Sequence, residues 1–174
     1  MEAVMKTLRR LLLLGLVLAG LARLPFRGVD VAKLIPVKTV IVTRSGDSYA
    51  VDVGAGVRGV GKTLSGALAD LRASVSGEIF FPTAEQVIVA GPDPEPLETV
   101  RAVAEEPAFR PAAAVYLSPE PELDPASVEA YLHNRTAEAT VMAVRADLRA
   151  ARQPRIPLLL AHNGGYRIAE PESR

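Results

Sequence analysis

Residues Val37 to Leu71 read VKTVIVTRSGDSYAVDVGAGVRGVGKTLSGALADL, and the fold class turns on this stretch. Val37 to Arg44 is rich in β-branched side chains, which suit a strand. Ser45-Gly46-Asp47 is a turn signal, and Ser48 to Val53 alternates in polarity as a second strand, so the pair predicts a hairpin. Gly54 to Gly61 is glycine-rich and reads as a flexible connection. Leu64, Leu68 and Leu71, with Ala67 beside them, then recur at helical spacing, with Thr63 as N-cap and Gly77 as the stop.

The pattern continues outward. Ile79-Phe80-Phe81 and Gln86 to Ala90 are strand material ended by Gly91-Pro92. Asp93-Pro94-Glu95-Pro96 opens a helix with Leu97, Val100, Val103 and Ala104 on one face, and acidic residues in its first turn where the dipole favours them. Ala112 to Leu117 is a further strand. Asp124 and Pro125 cap and begin a short helix through Leu132, and Thr136 to Arg152 is expected to be the longest amphipathic helix. Ile156 to Ala161, the turn Asn163-Gly164-Gly165 and Tyr166-Arg167-Ile168 predict a terminal hairpin. Strands interleaved with helices imply an α/β (α+β) domain, a mixed sheet of about five to seven strands with three to four helices packed on it. It is preceded by an N-terminal hydrophobic helix.

That N-terminal segment bears on placement. Lys6, Arg9 and Arg10 precede the uncharged run LLLLGLVLAGLA, Leu11 to Ala22, which has the proportions of a secretory signal and is short for a membrane span. Positive charge before the run directs the remainder outward. Residues 1–24 are therefore read as a signal peptide or a membrane anchor, 25–36 as a linker, 37–168 as one domain and 169–174 as a tail. The expected location is membrane-anchored or exported, on the extracytoplasmic face.

Composition narrows the chemistry. The chain has 174 residues, 49% of them hydrophobic, with 20 Lys+Arg balancing 20 Asp+Glu. It has the apolar material for a core and no basic footprint for nucleic acid. With no cysteine there is no disulfide, no thiol nucleophile and no Cys-ligated zinc, and His133 and His162 alone are a poor start for a metal centre. No catalytic residue, metal site or cofactor is predicted, and the chain is not expected to be an enzyme. Glu105 and Glu106 are adjacent and so point in different directions on a helix. Arg145, Arg149 and Arg152 read as a solvated helix face, or one that meets anionic lipid or an acidic partner.

One motif points elsewhere. Gly56 to Thr63, GVRGVGKT, matches G-x-x-x-x-G-K-S/T at every fixed position. In a phosphate-binding loop, N–H groups around Gly56 and Gly61 would wrap a phosphate, Lys62 would meet its oxygens and Thr63 would reach Mg²⁺. The alternative function is thus a small nucleotide-binding protein. Against it, no later apolar strand ends in the acidic residue that holds the metal, and SYAVDV alternates where a phosphate-loop strand is apolar throughout. The simpler account is a glycine connection followed by a capped helix.

The same residues carry a resemblance. A hairpin ending in SYAVDVG is followed by Gly61-Lys62-Thr63-Leu64 running into ALADL. EIFFPTAEQVIVAG comes next, then a helix from Pro94 to Glu106 and Pro107-Ala108-Phe109-Arg110 leading into AAAVYLS. This ordered set, over residues 37–168, resembles the N-terminal domain of the Ger(x)C family, the C subunits of spore germinant receptors. The resemblance implies a non-enzymatic, extracytoplasmic domain working with integral membrane proteins of a germination-type complex in a spore or sporulating cell. Family members carry a lipid-modified cysteine after the apolar signal. This chain has none, so anchoring here would depend on an uncleaved Leu11–Leu24 segment.

Overall fold

The chain divides into two units, residues 1–32 and 33–174, and the computed structural model describes residues 33–170 other than 94 and 136. The expected N-terminal helix and signal or anchor segment lie outside the described residues, as does most of the 169–174 tail.

The described unit is built on a seven-stranded mixed sheet. In chain order its elements are β1 (Leu34–Pro36), β2 (Thr39–Ser45), β3 (Ser48–Asp52), β4 (Arg58–Gly61), α1 (Leu64–Ala73), β5 (Glu78–Phe80), β6 (Gln86–Ala90), α2 (Pro96–Glu105), β7 (Ala114–Ser118), α3 (Pro125–Leu132), α4 (Val141–Arg149), β8 (Leu158–His162) and β9 (Gly165–Ala169). The sheet order is β4-β3-β2-β6-β7-β8-β9. Strands β2, β6, β7 and β8 run parallel, and antiparallel hairpins flank them on both sides. The mixed α/β architecture is the one the sequence predicts.

The central strands are apolar along their length because both faces are covered. Val40, Val42, Val51, Val87, Val89 and Val115 pack against α1, α2 and α4 on one face. Ile41, Ile88, Tyr116 and Leu159 pack against Val128 and Leu132 of α3 on the other. Strands β2 and β6 are further tied by a buried bond in which the Thr39 hydroxyl donates to Gln86 Oε1 at 2.9 Å. Phe81 and Phe109 meet edge-to-face at 6.0 Å between centroids, and Arg72 lies over the Phe81 ring.

Several local expectations are corrected. The glycine stretch is not a flexible connection. Gly54 to Val57 is a turn, closed by Val57 N–H donating to the Gly54 carbonyl at 2.9 Å, and residues 58–61 are strand β4, paired with β3. A Cβ on Gly59 would lie 2.3 Å from the Ala67 carbonyl oxygen, and one on Gly61 would lie 2.5 Å from Ala67 N. These glycines let α1 lie directly on β4. Helix α1 ends at Ala73, with Ser74 as its C-cap, rather than at Gly77. Gly77 instead makes room for β1, since a Cβ there would meet Lys33 O and Ile35 Cδ1 at 2.8 Å. The 25–36 stretch read as a linker contains β1, which pairs in parallel with β5 in a separate two-stranded sheet.

Leu97 is 43% exposed, off the buried face of α2. The helix expected from Thr136 begins at Val141 and runs nine residues, shorter than α1 and α2. Its late start has a cause: Val115 N–H donates to the Ala139 carbonyl and Val141 N–H to Ala113, so the approach to the helix is held beside β7 and Thr140 becomes the N-cap.

Candidate functional site

The register of three strands assembles a polar concavity on one side of the unit. Arg44 of β2 is paired with Tyr49 of β3, and Tyr49 with Gly61 of β4, so all three sit in one row across the sheet. Lys62 and Thr63 follow immediately and lead into α1. Helix α2 faces this row with Glu98, Arg101, Ala102 and Glu105, spaced at three, four and seven residues and hence on one side of the helix. The result is an open groove formed by two adjoining hollows of about 400 and 380 Å³ that share Tyr49, Lys62, Ala102 and Glu105.

Charges of both signs line it: Arg44, Lys62 and Arg101 stand against Asp47, Glu98, Glu105 and Glu106. The Arg44 guanidinium bonds to Glu98, approaches Glu95 at 3.8 Å and lies over the Tyr49 ring. The hydrogen bond from Arg44 holds the Glu98 carboxyl below its ordinary range, and Glu98 in turn raises the Arg44 guanidinium. At one end of the groove the Ser65 hydroxyl donates to Glu106 Oε2 at 2.6 Å, while Glu106 Oε1 accepts from Ala108 N–H at 3.2 Å. Glu106 is only 8% exposed, so this carboxylate is a clamp between the start of α1 and the end of α2 rather than a free base. Glu105, its neighbour, opens into the groove instead.

The phosphate-loop residues do not form a loop. Gly56 lies in the turn with φ +74°, Gly61 ends β4, Lys62 is exposed on the groove rim, and the Thr63 hydroxyl caps α1 by accepting from Gly66 N–H at 3.1 Å. Within the stretch, Val60 N–H points off the sheet edge and donates to the Asp70 carboxylate at 2.9 Å. The neighbouring N–H groups of Gly59 and Gly61, by strand alternation, face β3. The N–H groups of residues 59–61 are thus engaged within the fold.

The histidines stand apart from the groove. His133 ends α3, which packs on the opposite sheet face, and His162 ends β8 beside its turn. Among the described residues no cluster of His, Asp or Glu is arranged to hold a metal ion, and no helix is long and apolar enough to cross a membrane. Of the arginine row, Arg145 and Arg149 line one hollow together with Arg101, and there Arg145 donates to the Ala104 carbonyl on α2, while Arg152 pairs with Asp147 at 2.7 Å. Of the groove residues, Arg44, Tyr49, Glu98 and Arg101 carry no motif in the sequence. Pairing the hairpin about Gly46-Asp47 would have brought Arg44 to Tyr49, but nothing local announces α2 opposite them.

Comparison with known protein families, with characterised proteins and with solved structures finds no match to this chain. The groove offers charges of both signs, one aromatic residue, and Thr63 and Ser65 hydroxyls already engaged. Its charged side chains can form ion pairs with a protein surface.

Proposed function

We propose that the chain is a non-enzymatic, extracytoplasmic and membrane-associated interaction domain, resembling the first domain of a spore germinant receptor C subunit. The observation that carries the reading is the ordered motif set. Its members fall on successive elements of one α/β unit: the β2–β3 hairpin, the Gly61-Lys62-Thr63-Leu64 entry to α1, the QVIVA strand β6, α2, and the AVYLS strand β7. The basic start and apolar Leu11–Ala22 run supply the route to the membrane. Its partners are integral membrane proteins, and it needs no cofactor. Nucleotide binding through Gly56 to Thr63 gains no support from a stretch that forms a strand and a helix cap.

Two measurements test this. Full-length chain should sediment with membranes and, after crosslinking and detergent extraction, co-purify with integral membrane proteins. Recovery from the cytosol as an unassociated monomer overturns the reading. Titration with Mg-ATP should give no heat of binding, and Lys62→Ala should change nothing; saturable binding abolished by that substitution would restore the nucleotide alternative.

A further inference from the structure

The two edges of the main sheet are treated differently by the fold. At the β4 edge, the outward Val60 N–H is already bonded to the Asp70 carboxylate, and α1 lies against the strand. That edge is closed to an incoming strand. The β9 edge has no such guard among the described residues. Strand β9 is joined to β8 through Asn163 (φ +48°) and Gly164 (φ +77°), a two-residue turn that pairs His162 with Gly165. Alternation from that pair directs Gly165, Arg167 and Ala169 toward β8. It leaves the N–H and C=O groups of Tyr166 and Ile168 pointing off the sheet.

The side chains around these groups define what fits. Tyr166 and Ile168 are half-buried on the α3 face, where Tyr166 meets Tyr131 at 5.8 Å between centroids. Arg167 is exposed on the opposite face, beside the half-buried Leu158 and Leu160 of β8. Leu158, Leu160 and Arg167 belong to neither apolar cluster of the unit. A second copy of this strand is disfavoured. If two β9 strands paired antiparallel through residues 166 and 168, each Arg167 would face its own counterpart, and directly opposed like charges are destabilising. A strand with a carboxylate opposite Arg167, flanked by apolar residues opposite Tyr166 and Ile168, answers both the charge and the apolar surface.

We infer that the β9 edge is the docking site of this domain, taking an extended acidic-apolar protein segment as an eighth strand. This rests on the interaction-domain reading and names the surface that reading leaves open.

The test uses purified full-length chain in detergent and a capped synthetic peptide, Ser-Thr-Val-Glu-Val-Thr-Ser, with a counterpart carrying Lys in place of Glu. The Glu peptide should bind and shift amide resonances of residues 165–169, while the Lys peptide binds more weakly. Ile168→Pro removes one outward donor and leaves the ladder to β8 intact, since proline is tolerated where its missing N–H would face solvent. It should weaken the Glu peptide at least about fivefold, the cost of one hydrogen bond. Arg167→Glu changes an exposed side chain only, and should reverse the preference between the two peptides; this variant serves if Ile168→Pro perturbs folding. Absence of binding, unchanged affinity in both variants, or shifts centred on another element overturns the inference. So does concentration-dependent self-association lost in Ile168→Pro, which would assign the edge to a second copy. Because the peptide assay needs neither export nor a membrane, its failure is distinguishable from a cytosolic location, which would instead sink the functional reading.

Discussion

Replacing Gly59 by alanine probes the contact that decides how the glycine-rich stretch is used. The added Cβ would sit 2.3 Å from Ala67 O, 2.4 Å from Leu71 N and 2.5 Å from Leu71 Cβ. Two of those atoms are helix backbone, so no rotamer change relieves the clash, and α1 must move off β4. Helix α1 buries Leu64, Ala67, Leu68 and Leu71 against the sheet, so displacement loosens part of the core as well. Overpacking of this kind costs about 1–3 kcal/mol, and an obstruction by backbone belongs at the upper end, about 3 kcal/mol. For a unit of this size that lowers Tm by roughly 10 °C. Gly56 is the control. Its φ of +74° makes alanine unfavourable by about 1 kcal/mol, yet a Cβ there meets nothing within 4 Å. Urea denaturation of the wild type and both variants, at equal m-values, measures the difference. Gly59→Ala within about 0.5 kcal/mol of wild type, or no more costly than Gly56→Ala, refutes the packing argument.

Other outcomes follow from the same structure. Tyr116 is 1% exposed and its hydroxyl has no partner among the described residues; burial raises its pKa. Tyr116→Phe should therefore be neutral or stabilising by up to about 1 kcal/mol in denaturant melts, and a loss above that would reveal a hidden partner. Thr140→Ala removes the side-chain acceptor for Ala143 N–H and should cost about 1 kcal/mol, with the helical signal falling modestly. Glu98 has a folded pKa below its ordinary 4.5 because Arg44 bonds its charged form. The pair's contribution is thus full above the unfolded value and fades as pH falls through the lowered one. Carboxyl NMR titration should show this midpoint moving up in Arg44→Ala; an unchanged midpoint contradicts the pairing.

Much of the fold could be read from side-chain pattern, and the failures share a cause. The two hairpins, β6, β7 and α3 declare themselves because β-branched runs, turn residues and the Asp124-Pro125 cap are local signals, and α3 begins and ends at the residues read for it. Strand β4 does not, since RGVG has one β-branched residue and its glycines serve a helix more than a strand. Strand β1 is equally silent: its three residues acquire a strand's role only by pairing with β5, more than forty positions away. Helix α4 is overread because apolar spacing continues into residues whose backbone is claimed by β7. The groove shows the same division. Lys62 and Thr63 stood out through a motif, but the structure gives them a rim position and a capping role, while Arg44, Tyr49 and α2 reach them only through register and packing.

The side of the membrane on which residues 25–174 lie tests the central claim most directly. Full-length chain with a C-terminal tag, expressed in its own cell type, would be exposed to protease on intact protoplasts and then after lysis. The account predicts digestion of the tag from outside, in the intact protoplasts. A tag protected until lysis and recovered in the soluble cytoplasmic fraction would contradict it.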